Sequence, residues 1–111
     1  MKKIEAIIRE EKLNDLKECL EKEGIYGMTV MRVKGRGIQR GITLQWRAGS
    51  YTVDLLPKVL VMIVVSDEKF EKVIDIILEC CSTGNPGDGK IFVSEVSEVI
   101  RISSKERNVR I

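Results

Sequence analysis

Two glycine-rich stretches carry the residue types that grip phosphate. At 82–90 the chain reads Ser-Thr-Gly-Asn-Pro-Gly-Asp-Gly-Lys, with Gly84 and Gly89-Lys90 at the G-x-x-x-x-G-K spacing of a phosphate-binding loop. In a P-loop that motif runs from strand to helix, and a hydroxyl residue follows the lysine to meet magnesium; here Ile91 follows Lys90. The physical logic survives the difference. Glycines at 84, 87 and 89 allow successive backbone N–H groups to converge on an anion, and Lys90 adds a cation. A Gly-Pro turn would also explain part of this segment, but three glycines and a lysine exceed what a turn requires. The second stretch, Gly35-Arg36-Gly37-Ile38-Gln39-Arg40-Gly41, has G-x-G-x-x-x-G spacing and precedes no helical pattern, which sets it apart from a dinucleotide fingerprint. On its own it reads equally well as a linker. If antiparallel pairing brings the two loops to one end of a sheet, together they suggest a nucleotide-phosphate site.

The elements that must position these loops follow from periodicity. Lys2 to Arg9 alternates as a strand through Ile4, Ala6 and Ile8, and Leu13, Leu16, Cys19 and Leu20 then fall at helical spacing. Gly24 suits the left-handed position after that helix, and 28–34 restores a two-residue period ending at Gly35. From 35 to 54 no period is sustained. A compact domain seldom keeps some 20 structureless residues unless they function or are disordered. This stretch contains Gln45-Trp46-Arg47-Ala48-Gly49-Ser50-Tyr51, with the only tryptophan of the chain.

Beyond it, 56–65 alternates two apolar faces: Val59, Val61, Ile63 and Val65 on one, Leu60, Met62 and Val64 on the other. Ser66 or Asp67 is placed to cap a helix whose stripe is Phe70, Val73, Ile74, Ile77 and Leu78, ending near Cys81. A last long strand is expected at 90–96 and a short one at 99–102. The order βαβ, long loop, βαβ predicts an α+β, ferredoxin-like βαββαβ domain: a four-stranded antiparallel sheet with both helices on one face. Helices on one side leave Leu60, Met62 and Val64 bare on the other, so a partner subunit is expected there, or a fifth short strand or the tail over part of the face.

Composition narrows the function classes. The 111 residues carry 19 Lys+Arg against 17 Asp+Glu, which gives no overall field for nucleic acid or an acidic membrane. The longest apolar run, 59–65, is far short of the roughly 20 residues of a membrane span, and the chain is read as cytoplasmic. Three cysteines without C-x-x-C spacing, and no histidine, disfavour a disulfide framework or a zinc site; all three are read as reduced and partly buried. No Ser/His or paired-carboxylate constellation marks a dedicated catalyst.

Over nearly its whole length the chain resembles the PII nitrogen-regulatory signal proteins. The resemblance rests on the opening MKKIEAIIR, GMTV at 27–30, KGRG-x-Q-x-G at 34–41, YTVDLLPK at 51–58 and, most specifically, TGNPGDGKIFV at 83–93. It implies a homotrimer with ATP or ADP in three inter-subunit clefts, and a flexible T-loop, about 37–55, that docks on targets. By similarity Gly87, Asp88, Gly89 and Lys90 of the 82–90 loop hold phosphates, with Arg101 before a tail at 102–111. Gly35, Gly37 and Gln39 meet the nucleotide from the T-loop base, and Thr29 and Val64 lie near the adenine. The resemblance further implies 2-oxoglutarate beside magnesium-ATP, with Gln39 on the metal and Lys58 on the keto acid's carboxylate.

In such proteins ligand state selects T-loop conformation. The implied target is an ammonium transporter, which would recruit the protein reversibly to the membrane, with Trp46 and Arg47 at the docking tip and Tyr51 as a possible modification site. Alternatives are regulation of nitrogenase or of glutamine synthetase, a slow nucleotide hydrolase, and a structural trimer with inert loops. Departures from the family pattern are Ile38 and Ser103 in place of basic residues, Met62 in place of glutamate, and WRAGSY in place of YRGAEY. Two lost charges predict weaker triphosphate binding or a larger share for Lys90 and Arg101.

Overall fold

The computed structural model describes residues 1–37, 42–46 and 49–108, with the side chains of 42–46 and 51–53 left undescribed. Chain order is β1 (Lys2–Ile8), a single 3-10 turn (Glu10–Lys12), α1 (Leu13–Lys22), β2 (Thr29–Gly35), β3 (Ile42–Trp46), β4 (Gly49–Val53), β5 (Leu56–Val65), α2 (Asp67–Cys81) and β6 (Lys90–Glu95). The main sheet has order β2-β5-β1-β6 with every pair antiparallel, as the ferredoxin-like reading requires.

Period-two alternation decides which face of the sheet is covered. Ile4, Ala6 and Ile8 of β1 and Val59, Val61, Ile63 and Val65 of β5 are all buried, against Leu16 and Leu20 of α1 and Val73, Ile77 and Cys81 of α2. The opposite face carries Ile7, Leu60 and Met31 in one cross-strand row and Phe92, Glu5, Met62 and Thr29 in the next. Leu60, Met62 and Val64 are half-buried by their neighbours, while Met31 and Phe92 are about half exposed, at 52% and 53%. No helix among the described residues covers this face.

α1 ends as its sequence predicts. Gly24 takes φ +76° and donates its N–H to the Glu21 carbonyl, and the Ile25 N–H returns to the Leu20 carbonyl, satisfying the last carbonyls of the helix. Three expectations need correction. The segment 35–54 is not without strands: β3 and β4 pair in register from Ile42↔Val53 to Trp46↔Gly49 as a separate two-stranded sheet. A two-residue alternation is present in both strands, Ile42, Leu44 and Trp46 against Thr43 and Gln45, and Tyr51 and Val53 against Ser50 and Thr52, but each run is only five residues long and lies among glycines and arginines that mask it. At α2, Ser66 is the N-cap by backbone but makes no side-chain cap bond, and Asp67 instead pairs with the N-terminal amine at 3.2 Å. In place of a strand at 99–102 there is a single bridge, Ile100↔Arg107, closing a turn in which Lys105 has positive φ.

Candidate functional site

The loop leaving α2 is organised by one carboxylate. Asp88 accepts from the backbone N–H of Thr83 at 2.8 Å and of Gly84 at 3.0 Å, from the Thr83 hydroxyl at 2.6 Å, and from Arg9 Nε at 3.0 Å. Arg9 also donates Nη2 to the Pro86 carbonyl at 2.8 Å, which ties the end of β1 to the crown of the loop. The Thr83 hydrogen bonds, supported by Arg9 and Gly84, hold the Asp88 carboxyl well below the usual carboxylate range. The N–H groups of Thr83 and Gly84 are therefore committed to Asp88. Those of Gly87 and Gly89 are not among the groups this carboxylate takes.

Gly89 is required by its surroundings. Its φ is +101°, and a Cβ there would lie 1.7 Å from the Ile7 carbonyl oxygen and 2.8 Å from its carbon, both backbone atoms of β1. Only a residue without a side chain lets the loop pass this close to the strand before Lys90 enters the β6 ladder opposite Ile7.

Lys58 joins the second glycine-rich stretch to the first. It sits near the start of β5, opposite Val33 of β2, with only 9% of its surface exposed, and its Nζ donates to the Gly87 carbonyl at 2.5 Å. Gly35 closes the same end of the sheet opposite Leu56, and a Cβ on it would stand at ordinary contact, 3.7 Å, from Lys58 Cγ. The expected convergence of the two glycine-rich segments thus holds for Gly35, through Lys58. Gln39 and Arg47 lie outside the described residues. Gly37 is exposed beyond the end of β2, and Trp46 is placed by its backbone at the last pair of the β3–β4 hairpin, with Tyr51 opposite Leu44.

Thr29 and Val64 come together elsewhere. Both line a cleft of about 440 Å³ formed by the α1–β2 connection and the end of β5, with Tyr26 and Met62. Val64 is six residues along β5 from Lys58, so at ~3.3 Å per residue the two groups are about 20 Å apart within one chain. Arg101 is exposed in the C-terminal turn, where its N–H donates to the Glu106 carbonyl at 2.9 Å.

Two features of this site escaped the sequence reading. Arg9 reads only as a strand-end charge, and its partner is 79 positions away. Arg36 pairs with Asp54 through two contacts, 3.0 and 3.2 Å, across the base of the 37–55 loop. Flanking opposite charges at the ends of a long loop are the one signal that could have found it.

An antiparallel sheet in the order β2-β5-β1-β6, two helices on one face and a glycine-rich loop clamped at its end define a small α+β domain of the ferredoxin-like class. The sequence profile of the family Nitrogen regulatory protein P-II matches residues 1–106. The chain is 55% identical over 106 residues to Nitrogen regulatory protein P-II 1 of Methanothermobacter thermautotrophicus, spanning 96% of this chain and 92% of that one. It is 53% identical over 108 residues to the P-II protein of Pasteurella multocida and 48% identical over 108 to that of Pyropia yezoensis, covering 97% of this chain and 96% of each relative. The chain belongs to the P-II nitrogen regulatory family, and its role is nitrogen signal transduction.

Proposed function

We propose that this protein senses nitrogen and energy status by binding ATP or ADP, and 2-oxoglutarate with magnesium, in clefts between three copies of the chain, and reports the result through the 37–55 loop. The observation that carries the reading is Lys58, a nearly buried cation resting on the Gly87 carbonyl between the loop base and the glycine-rich loop. A neutral carbonyl is a weak partner for an ammonium group, and a ligand carboxylate or phosphate would be a stronger one. Moving Lys58 onto such a ligand would free the Gly87 carbonyl, so ligand binding and loop geometry are linked through one side chain.

The separation of Thr29 and Val64 from Lys58, Gly87 and Lys90 supports a shared site. A nucleotide whose phosphates lie on the N–H groups of Gly87, Asp88 and Gly89 would leave its base against the Thr29–Val64 cleft of a neighbouring copy. The Asp88 carboxylate, turned into its own loop, would keep that loop in shape, while Lys90 and Arg101 supply charge. Gln39 would complete the magnesium site from the loop base.

The mechanism is differential binding. ATP with 2-oxoglutarate and ADP alone favour different loop conformations, and a difference of a few kcal/mol between them suffices to redistribute the population. An ammonium transporter is the first target, met by Trp46 and Arg47, with the protein cytoplasmic until recruited; nitrogenase or glutamine synthetase would be read by the same loop. Calorimetry with ATP, with and without magnesium and 2-oxoglutarate, tests the reading. Strong mutual enhancement is expected, and absence of binding by either ligand overturns it. Lys90→Ala should weaken ATP and ADP together by roughly 1.5–3 kcal/mol, the scale of a charge-assisted contact.

A further inference from the structure

We infer that Cys19 and Cys80 form a dithiol oxidation site, at which a hydroperoxide closes a disulfide between α1 and α2. The two sulfurs are 61 positions apart in sequence and 2.7 Å apart in space. A disulfide bond measures about 2.05 Å, so closure brings the two sulfurs about 0.7 Å closer. Helical periodicity sets this meeting. Cys19 borders the buried stripe of Leu16 and Leu20 on α1, and Cys80 borders that of Ile77 and Cys81 on α2, so both thiols sit at the solvent edge of the seam between the helices. Each is half-buried and reachable by a small oxidant. Cys81 is turned into the core at 4% exposure, so adjacency in sequence does not make it the partner.

The chemistry balances in two steps. The Cys19 sulfur attacks one peroxide oxygen, the O–O bond breaks, and Cys19 becomes a sulfenic acid with release of water, or of an alcohol from an organic peroxide. The Cys80 sulfur then displaces the sulfenic hydroxyl, which leaves as water with the Cys80 proton. Two sulfurs lose one electron each to form the S–S bond, and the peroxide accepts both. Burial and the adjoining Cys19 sulfur push the Cys80 thiol up to about 12, which makes it a poor first attacker of peroxide and leaves that step to Cys19.

The location gives the bond a consequence. Cys80 is in the last turn of α2, where the Ser82 N–H donates to the Leu78 carbonyl and the Asp88-clamped loop departs. A disulfide here fixes the root of that loop against α1.

The test is made on the full chain, exposed to a small excess of hydrogen peroxide and analysed by non-reducing intact mass, peptide mapping and thermal melting. Expected are loss of two thiols per chain, a mapped Cys19–Cys80 bond reversed by dithiothreitol, and a Tm raised by roughly 10–20 °C, the scale for closing a loop this long. Cys81→Ser should behave as the parent, while Cys19→Ser and Cys80→Ser should each lose both the bond and the Tm shift. Oxygen addition to single cysteines without a crosslink, a bond through Cys81, or crosslinks solely between chains would each overturn the proposal. Because mapping is done on the parent chain, the result does not depend on the variants folding.

Discussion

At the scale of single residues, the glycine-rich loop depends on one absent side chain and one carboxylate. Gly89→Ala places a methyl group inside the Ile7 backbone, and either β1 or the loop must move. The expected cost is about 3 kcal/mol or more, seen as a lowered urea midpoint together with weakened ATP binding. Gly84 has open space where its Cβ would be, so Gly84→Ala is the milder change, limited to the strain of its positive φ. Asp88 sets the acid behaviour. Its folded carboxyl titrates below its unfolded value, so between the two the unfolded chain binds more protons and stability rises with pH. The contribution is complete above the ordinary carboxylate range and disappears as pH falls through the depressed value. Asp88→Asn should therefore lower Tm at pH 7 and flatten the fall of Tm below about pH 4, as followed by calorimetry across that range.

At the scale of elements, the 37–55 segment is a loop with a defined base. Gly35 pairs with Leu56, Arg36 pairs with Asp54, and β3 and β4 form their own ladder beyond. Both members of the ion pair are more than half exposed, so it contributes at most about 1 kcal/mol to stability. Its effect belongs to the loop's conformational balance. Arg36→Ala is expected to leave Tm within a few degrees of the parent and to change the proteolytic cleavage rate of the loop severalfold, because a small energy acts on a locally opened segment. An unchanged cleavage rate would show that the hairpin, and not the ion pair, fixes the base.

At the scale of the whole molecule, one sheet face lies uncovered by any helix among the described residues. Met31 and Leu60 meet across β2 and β5, Ile7 continues their row, and Phe92 flanks them on β6. In the proposed trimer this face is buried between copies, and the two halves of the nucleotide site meet there. Leu60→Glu would bury a carboxylate without a partner and should convert an assembly of three chains into one sedimenting at 12.6 kDa, with ATP binding lost in parallel. A parent protein that already sediments at 12.6 kDa would remove the basis for a shared cleft.

The sequence by itself determined the element order, the ferredoxin-like topology, the buried side of β1 and β5 and the end of α1 at Gly24, because each follows from local period or backbone freedom. It also located both glycine-rich segments, since their composition is unlike that of any regular element. The tertiary structure decided what those segments touch. That Arg9 and Asp88 clamp the loop, that Lys58 rests on Gly87, that Cys19 meets Cys80, and that Thr29 lines one cleft with Val64 are all contacts between residues far apart in sequence. Sequence spacing carries no distance for such pairs; only the pairing register of β1, β2, β5 and β6, and the seam between the helices, brings them together or holds them apart.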